Sequence, residues 1–435
     1  MRPALLCAAL LALPGCLAPG EGGGSVSRML MPAQAPVPEG LTPAEGVGET
    51  SQRLDDLMVR RSLLPKGSAL DHVAAAVLTA ETRAAGAELR AARLRERAQS
   101  RNWLPSLGPQ VSLSSLGSVV AALVVEQVLF DNGRKLAERD FAKADVEVAA
   151  VALVQDSNDR VLAALSLYLA ALEAREKAAL AAESERDMAH FEWIMSERVA
   201  GGISDRSDLQ VLRQKLAEIR ASQQSESEAA QAALAELAAM GARVADLPLE
   251  VALAPLPIPA PAPVPLSVRL AEAEADRTTA RARAERAGFL PGLTATGVLG
   301  RNAPDPSVDL RMARPLGFGT GDDLRAIDAA SEGARRKVDQ AREEANRHLR
   351  RLEQERLALA RQASEAAVLS GRAKANLDLF QSQYDAGQRQ VMDVVGLYEQ
   401  FARQQQAAAT LRYRAALTEV QIAARLGLLA DGDRL

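Results

Sequence analysis

Residues 383–399, QYDAGQRQVMDVVGLYE, and residues 198–214, RVAGGISDRSDLQVLRQ, decide how the chain is organised. In each, a long polar–apolar helical pattern runs into a glycine, and a new helical pattern starts a few residues later. The glycines are Gly387 in one stretch and Gly202, preceded by Gly201, in the other. A glycine at a helix end takes the left-handed conformation that closes the last turn, and a Ser or Asp just beyond it starts the next helix. Each stretch also places an aspartate six residues past its glycine, Asp208 and Asp393. The pattern predicts two helical hairpins with related tips, 185 residues apart.

A second pair of segments has nearly the same offset. RNWLPSL (101–107) matches AGFLPGL (287–293), with Trp103 against Phe289 and Pro105 against Pro291, 186 residues apart. Two anchors sharing one offset indicate a duplicated unit of about 185 residues. The expected boundaries are a first repeat over 68–247, a Pro-rich linker over 248–266 and a second repeat over 267–429, with a tail at 430–435. Within the linker, PLPIPAPAPVP (255–265) has proline at every second position, which favours extended polyproline II and cannot continue a helix.

From Arg134 a helical pattern persists to Ala200, and at 1.5 Å per residue it makes a rod of about 100 Å. The return helix over 206–245 and the earlier helix over 68–101 come to about 60 and 50 Å, so stacked end to end they match the rod. In the second half, 266–288 and 388–428 match a rod from Asp322 to Asp385 of about 95 Å by the same rise. Between the helices the period changes to two. Residues 107–130 read as a β-hairpin with poor alternation in its second strand, and 293–314 as another. In SVDLRMAR (307–314), Val308, Leu310 and Met312 share one face while Asp309 and Arg311 take the other. That pattern suits a barrel with lipid outside and water inside. The strands are short against the nine to eleven residues of a tilted spanning strand. Of the aromatic residues expected at membrane interfaces, only Trp103, Phe130, Phe289 and Phe318 lie near the hairpin bases.

Composition agrees with long helices. Aromatic residues make up 3% of the 435, and the net charge of −4 gives no reason to expect a nucleic-acid partner. Arg2, an apolar run from Ala4 to Leu13 and small residues after it form an export signal over 1–15, too short to span a bilayer. LPGC (13–16) resembles the bacterial lipoprotein cleavage box, although Pro14 departs from it. The resemblance implies lipidation of Cys16 and, with Leu17 rather than an aspartate following, residence in the outer membrane. Residues 16–67 are expected to form a loosely held extended arm.

His72, His190 and His348 are too far apart for a metal motif and read as helix-surface or packing residues. GFGTG (317–321) has glycines but no strand–GxGxxG–helix context, so it reads as the turn where Asp131-Asn132-Gly133 stands in the first repeat. No nucleophile–base pair stands out. Neither an enzyme nor a bound cofactor is expected.

From residue 68 onward the chain resembles the TolC-like outer-membrane efflux protein family. The resemblance rests on VEQVLFDNGRKLAERDFAKAD (125–145), the two glycine-to-aspartate tips and the duplicated helix–hairpin–helix order. It implies a mainly α protein with a small β part, assembled as a homotrimer. Four strands from each chain would close a 12-stranded outer-membrane barrel, and the helices an α-barrel through the periplasm. It also implies partners: a periplasmic adaptor (membrane fusion) protein docked on the tips, Gly201, Gly202 and Gly387 included, and an inner-membrane transporter. At the tips, Arg389 matches the arginine of a latch whose partners are Ser207 and Asp208 on the neighbouring hairpin, and Asp393 matches an acidic pore ring. Gly396 stands where a second ring would be, so one ring is expected. The function implied is a passive exit duct of a tripartite efflux pump or type I secretion system. A periplasmic coiled-coil adaptor without a pore is the alternative, and two hairpins with two separate strand pairs argue against it.

Overall fold

The computed structural model describes residues 51–80, 84–113, 119–249, 251, 253–299 and 305–434. The export signal and Cys16 lie outside the described residues, as does most of the expected arm. Eight helices and one four-stranded sheet make up the described chain: α1 (Gln52–Val59), α2 (Ala69–Thr79), α3 (Ala85–Gln99), β1 (Ser106–Leu113), β2 (Val119–Phe130), α4 (Arg134–Ala200), α5 (Arg206–Ala239), α6 (Leu266–Ala287), β3 (Pro291–Leu299), β4 (Asp305–Met312), α7 (Thr320–Asp385) and α8 (Val391–Arg425). The protein is mainly helical with a small sheet.

The two long rods, α4 and α7, run 67 and 66 residues. They differ in what surrounds them. α4 packs against α3 and α6 on the sheet side and against α5 and α8 towards the tips, so its buried residues spread around its girth. α7 packs mainly on α6 and α8 and buries one narrow seam: Ile327, Ala334, Val338, Ala345, Leu352, Leu359, Ala366, Ala373 and Leu377. Those positions recur at intervals of seven or four, the spacing that keeps a coiled-coil seam facing its partner.

The partners of each rod are broken helices, and an arginine clasps each break. Arg160 on α4 donates from Nε to the carbonyl of Val77 at 2.8 Å, near the end of α2. Its Nη2 donates to the carbonyl of Met240 at 2.9 Å, at the end of α5. In the second half Arg60 donates to the carbonyl of Leu426 at 2.7 Å, just past α8, and to that of Val264 at 2.9 Å, just before α6. These bonds satisfy terminal carbonyls that a helix cannot satisfy by itself. Equivalent features keep the same spacing. Gly241 and Gly427, both at positive φ past α5 and α8, lie 186 residues apart, as do Gly133 and Gly319 at the N-caps of α4 and α7.

Two expectations need correction. The single helix over 68–101 is divided into α2 and α3, because the two pieces have different partners. α2 lies in the central core with Leu165, Tyr168, Leu237 and Leu429, whereas α3 packs with α1, Val146 and Val151 nearer the sheet. The end of the N-terminal arm is not loose either. Leu57 and Leu64 are buried, and residues 60–63 bond to the C-terminal stretch: the amide of Leu63 donates to the Leu428 carbonyl at 2.9 Å, that of Gly432 to the Arg60 carbonyl at 2.9 Å. Residues 255–265 lack helix and strand, and they are anchored by buried Leu256, whose amide donates to Glu419 Oε2 at 2.9 Å. Asn158, fully buried, accepts from the Leu429 amide at 2.9 Å and donates to the Val154 carbonyl at 2.8 Å, joining the C-terminus to α4.

The sheet is antiparallel throughout, in the order β1-β2-β3-β4, with β1 and β4 at its edges. Its strands run from 8 to 12 residues, so β2 and β3 reach the length expected of a tilted spanning strand and the edge strands fall just below it.

Candidate functional site

Register fixes which side chains share a face of the sheet, because residues directly opposite in an antiparallel pair project the same way. Leu107 faces Val125, Val111 faces Ala121, Leu123 faces Leu299, Ala295 faces Val308 and Leu293 faces Leu310. These form one apolar face across all four strands. The other face carries Ser106, Gln110, Glu126, Thr294, Thr296, Ser307, Asp309 and Arg311, with Ala122, Val124 and Val128 among them. Those three residues explain the poor alternation of β2 in sequence. Gln127 is the polar exception on the apolar side, and its amide is spent on the carbonyls of Trp103 (2.7 Å) and Val128 (3.1 Å). The apolar face is uncovered: Val308 is 63% and Leu310 74% exposed. Trp103, Phe130 and Phe318 are exposed at the helix-side end of the sheet, whereas Phe289 is buried at 7% against Ala282 and Ile327 and leaves the expected aromatic group.

At the opposite end of the rods, both turns close in the same way. The amide of Ile203 donates to the Arg198 carbonyl and that of Gln388 to the Gln383 carbonyl, each at 2.8 Å, around Gly202 at φ 73° and Gly387 at φ 74°. This is the six-to-one closure that needs a left-handed residue past the helix end. Gly201 keeps a right-handed conformation at the C-cap of α4. Asp205 caps α5 by accepting from the Ser207 amide at 3.1 Å, and that bond holds its carboxyl below the usual range. Asp205 was not among the residues singled out in the sequence, although its place just before a helix start is a cap signal.

The four tip residues divide as follows. Ser207 is exposed and Asp208 half-buried, both in the first turn of α5. Asp393 is exposed and completes a capping box at the start of α8, its carboxylate accepting from the Gln390 amide at 3.4 Å. Arg389 is held on its own hairpin: its guanidinium lies 4.4 Å from the centroid of the Phe380 ring, and Nε donates to Gln383 at 3.0 Å. Within one chain, therefore, Arg389 does not engage Ser207 or Asp208.

Behind the tips an apolar cluster joins the two hairpins. Met188, Phe191 and Met195 of α4 meet Leu209 and Leu212 of α5 and Val394, Tyr398 and Phe401 of α8. The Tyr398 hydroxyl donates to Asp187 at 2.7 Å, and burial with that carboxylate pushes its pKa well above the usual phenol value. Lys215 of α5 pairs with Glu399 of α8, joining the two hairpins. Among the described residues no helix is long and apolar enough to cross a membrane.

Sequence comparison with family models and with curated proteins gives no match. Solved structures do match in shape. A membrane protein from Pseudomonas aeruginosa superposes with a TM-score of 0.73 at 18% identity, covering 92% of this chain and 98% of its own. The outer membrane protein VceC from Vibrio cholerae gives 0.71 at 16% identity over 82% of this chain and 96% of that one. The CmeC outer membrane channel of Campylobacter jejuni gives 0.70 at 12% identity over 92% and 94%. The chain shares the fold of these outer-membrane proteins and channels. In this chain the sheet and the hairpin tips stand at opposite ends of the two rods.

Proposed function

We propose that this protein is the outer-membrane exit duct of a tripartite efflux pump or a type I secretion system, working as a homotrimer. The observation that carries the reading is the sheet: one face apolar and uncovered across four strands, the other polar, and the outer edges of β1 and β4 unpaired among the described residues. An open sheet edge cannot sit in lipid, because its backbone groups would go unsatisfied, so the edges must pair with further copies to close a barrel. Three chains of four strands give twelve, with lipid outside and water in the lumen.

The helices support the same arrangement. On α7, Leu357, Val368 and Leu379 are exposed and recur every eleven residues, three turns apart on one line. They lie on the side opposite the buried seam of Leu359, Ala366 and Ala373. A helix with apolar stripes on two opposite sides is placed between two neighbours, and the second belongs to an adjacent copy. The tips then surround the periplasmic mouth. Arg389 of one copy reaches Ser207 and Asp208 of the next, Asp393 forms an acidic ring, and a periplasmic adaptor docks around Gly201, Gly202 and Gly387. The duct is passive, and energy comes from an inner-membrane transporter. Lipidated Cys16 provides a second membrane attachment.

A charge at the middle of the lipid face tests this reading. Val308→Arg, opposite Ala295 at the centre of β3, is expected to cost about 2–4 kcal/mol in a membrane barrel. It should empty the outer-membrane fraction of assembled protein, while Ser307→Arg on the polar face leaves assembly intact. If both variants fractionate and assemble like the parent, the membrane assignment of the sheet is wrong.

A further inference from the structure

The polar side of the sheet continues past the strand ends into two adjoining clefts. One, of about 340 Å³, lies between the sheet and the start of α4, where Arg311 and Lys135 reach it. The other, of about 530 Å³, lies between α3, α4 and α6 and takes in Arg314 and Phe141. Arg134, Glu138 and Ala313 border both, so they form one depression. Four strand residues in its wall, Glu126, Val128, Thr294 and Arg311, project from the polar face, which sets the depression on that side of the sheet.

Most charges in the depression are already used. Arg134 pairs with Glu138 at 3.0 Å and Arg281 with Glu285 at 2.9 Å, while Asp145 takes Arg277 at 3.1 Å and Arg95 at 3.7 Å. The carboxylate of Asp131 accepts from the amides of Gly133 and Lys135. Among the described residues that leaves three cations, Lys135, Arg311 and Arg314, against two carboxylates, Glu126 and Asp131. The guanidinium of Arg314 lies over the Phe289 ring, 5.4 Å from its carbon to the centroid. Beside these cations the wall is apolar, formed by Phe141, Ala142 and Ala284. The volumes fall in the range of small-molecule sites, roughly 300–1,000 Å³.

Unpaired guanidinium groups next to an arene and small alkyl groups fit a ligand that is anionic at one end and hydrophobic at the other. We propose that this depression binds amphiphilic organic anions, such as aryl sulfonates and carboxylates, on the inner wall of the duct just below the barrel. The proposal rests on the reading of the polar face as luminal. Arg311 and Arg314 would hold the anionic group, and Phe141 the aromatic body.

The test uses the full-length protein in nanodiscs of zwitterionic lipid, titrated with 1-naphthalenesulfonate and followed by fluorescence anisotropy against empty discs. Saturable binding is expected, weakened about tenfold in R311Q/R314Q, since a charge-assisted hydrogen bond is lost. Both arginines are exposed and, among the described residues, free of ion pairs, so the variant should fold as the parent does. 1-Naphthylmethylammonium should bind far more weakly than the sulfonate. Equal binding by parent and variant, or equal binding of the cation, would overturn the site. The mass of the assembly in the same discs separates the two claims. Three chains without saturable binding remove the site alone, and a single chain removes the duct reading and the site with it.

Discussion

Gly201 sits at φ −79°, while Gly202 beside it sits at φ 73°, so the two adjacent glycines at the first tip have different constraints. A Cβ on Gly201 would meet only ordinary contacts at 3.5 Å or more, so Gly201→Ala should leave the thermal midpoint nearly unchanged. Gly202→Ala forces a side chain into the left-handed region and should cost about 1–2 kcal/mol; equal midpoints for the two variants would contradict the turn geometry. Asp393 has two roles to separate, as a cap and as a pore charge. Asp393→Asn keeps an acceptor for the Gln390 amide but removes the charge. Single-channel recording should show weaker cation selectivity and block with conductance retained, and unchanged selectivity would remove Asp393 from the pore lining. The tip glycines and Asp393 were legible in sequence because caps are local. Arg60, Arg160 and Asn158 were not, since their partners are backbone groups brought to them only by the folded chain.

Among the elements, α4 and α7 were readable as long rods, because a helix with few breaks writes its period over more than sixty residues, whereas the seam that α7 buries was not singled out. The break between α2 and α3 was hidden: both pieces are helical in composition, and what separates them is a change of packing partner. The two faces of β2 were equally obscure, since Ala122, Val124 and Val128 stand on the polar side and only the register sorts them. Contacts between elements carry a pH dependence of their own. Tyr413 of α8 donates to Glu176 of α4 at 3.1 Å, and burial with that carboxylate raises its pKa to about 12. Burial likewise raises Tyr168, which donates to the Pro248 carbonyl, to about 12. A folded-state pKa above the unfolded value of about 10 means the stabilisation is complete below that pH and is lost as pH rises towards the folded value. Thermal melts followed by circular dichroism should therefore fall between pH 10 and about 12, and Tyr413→Phe should flatten part of that fall. An identical profile for the variant would show that the α4–α8 pair does not depend on the phenol.

On the scale of the molecule, the features left over in one chain are of one kind. Among the described residues the outer edges of β1 and β4 are unpaired, the apolar sheet face is bare, and α7 shows a second apolar stripe without a partner. The edges and the stripe ask for a neighbouring copy and the bare face for lipid, and a closed ring in the membrane satisfies all three without leaving a new edge. The sequence pattern carried the alternation in 307–314 and the repeat spacing, but not the number of copies, which depends on surfaces that only assembly covers. Native mass spectrometry of the protein extracted from outer membranes into detergent tests that closure most directly. The account predicts a species of three chains as the dominant peak. A dominant single chain, extracted intact and folded, would contradict it.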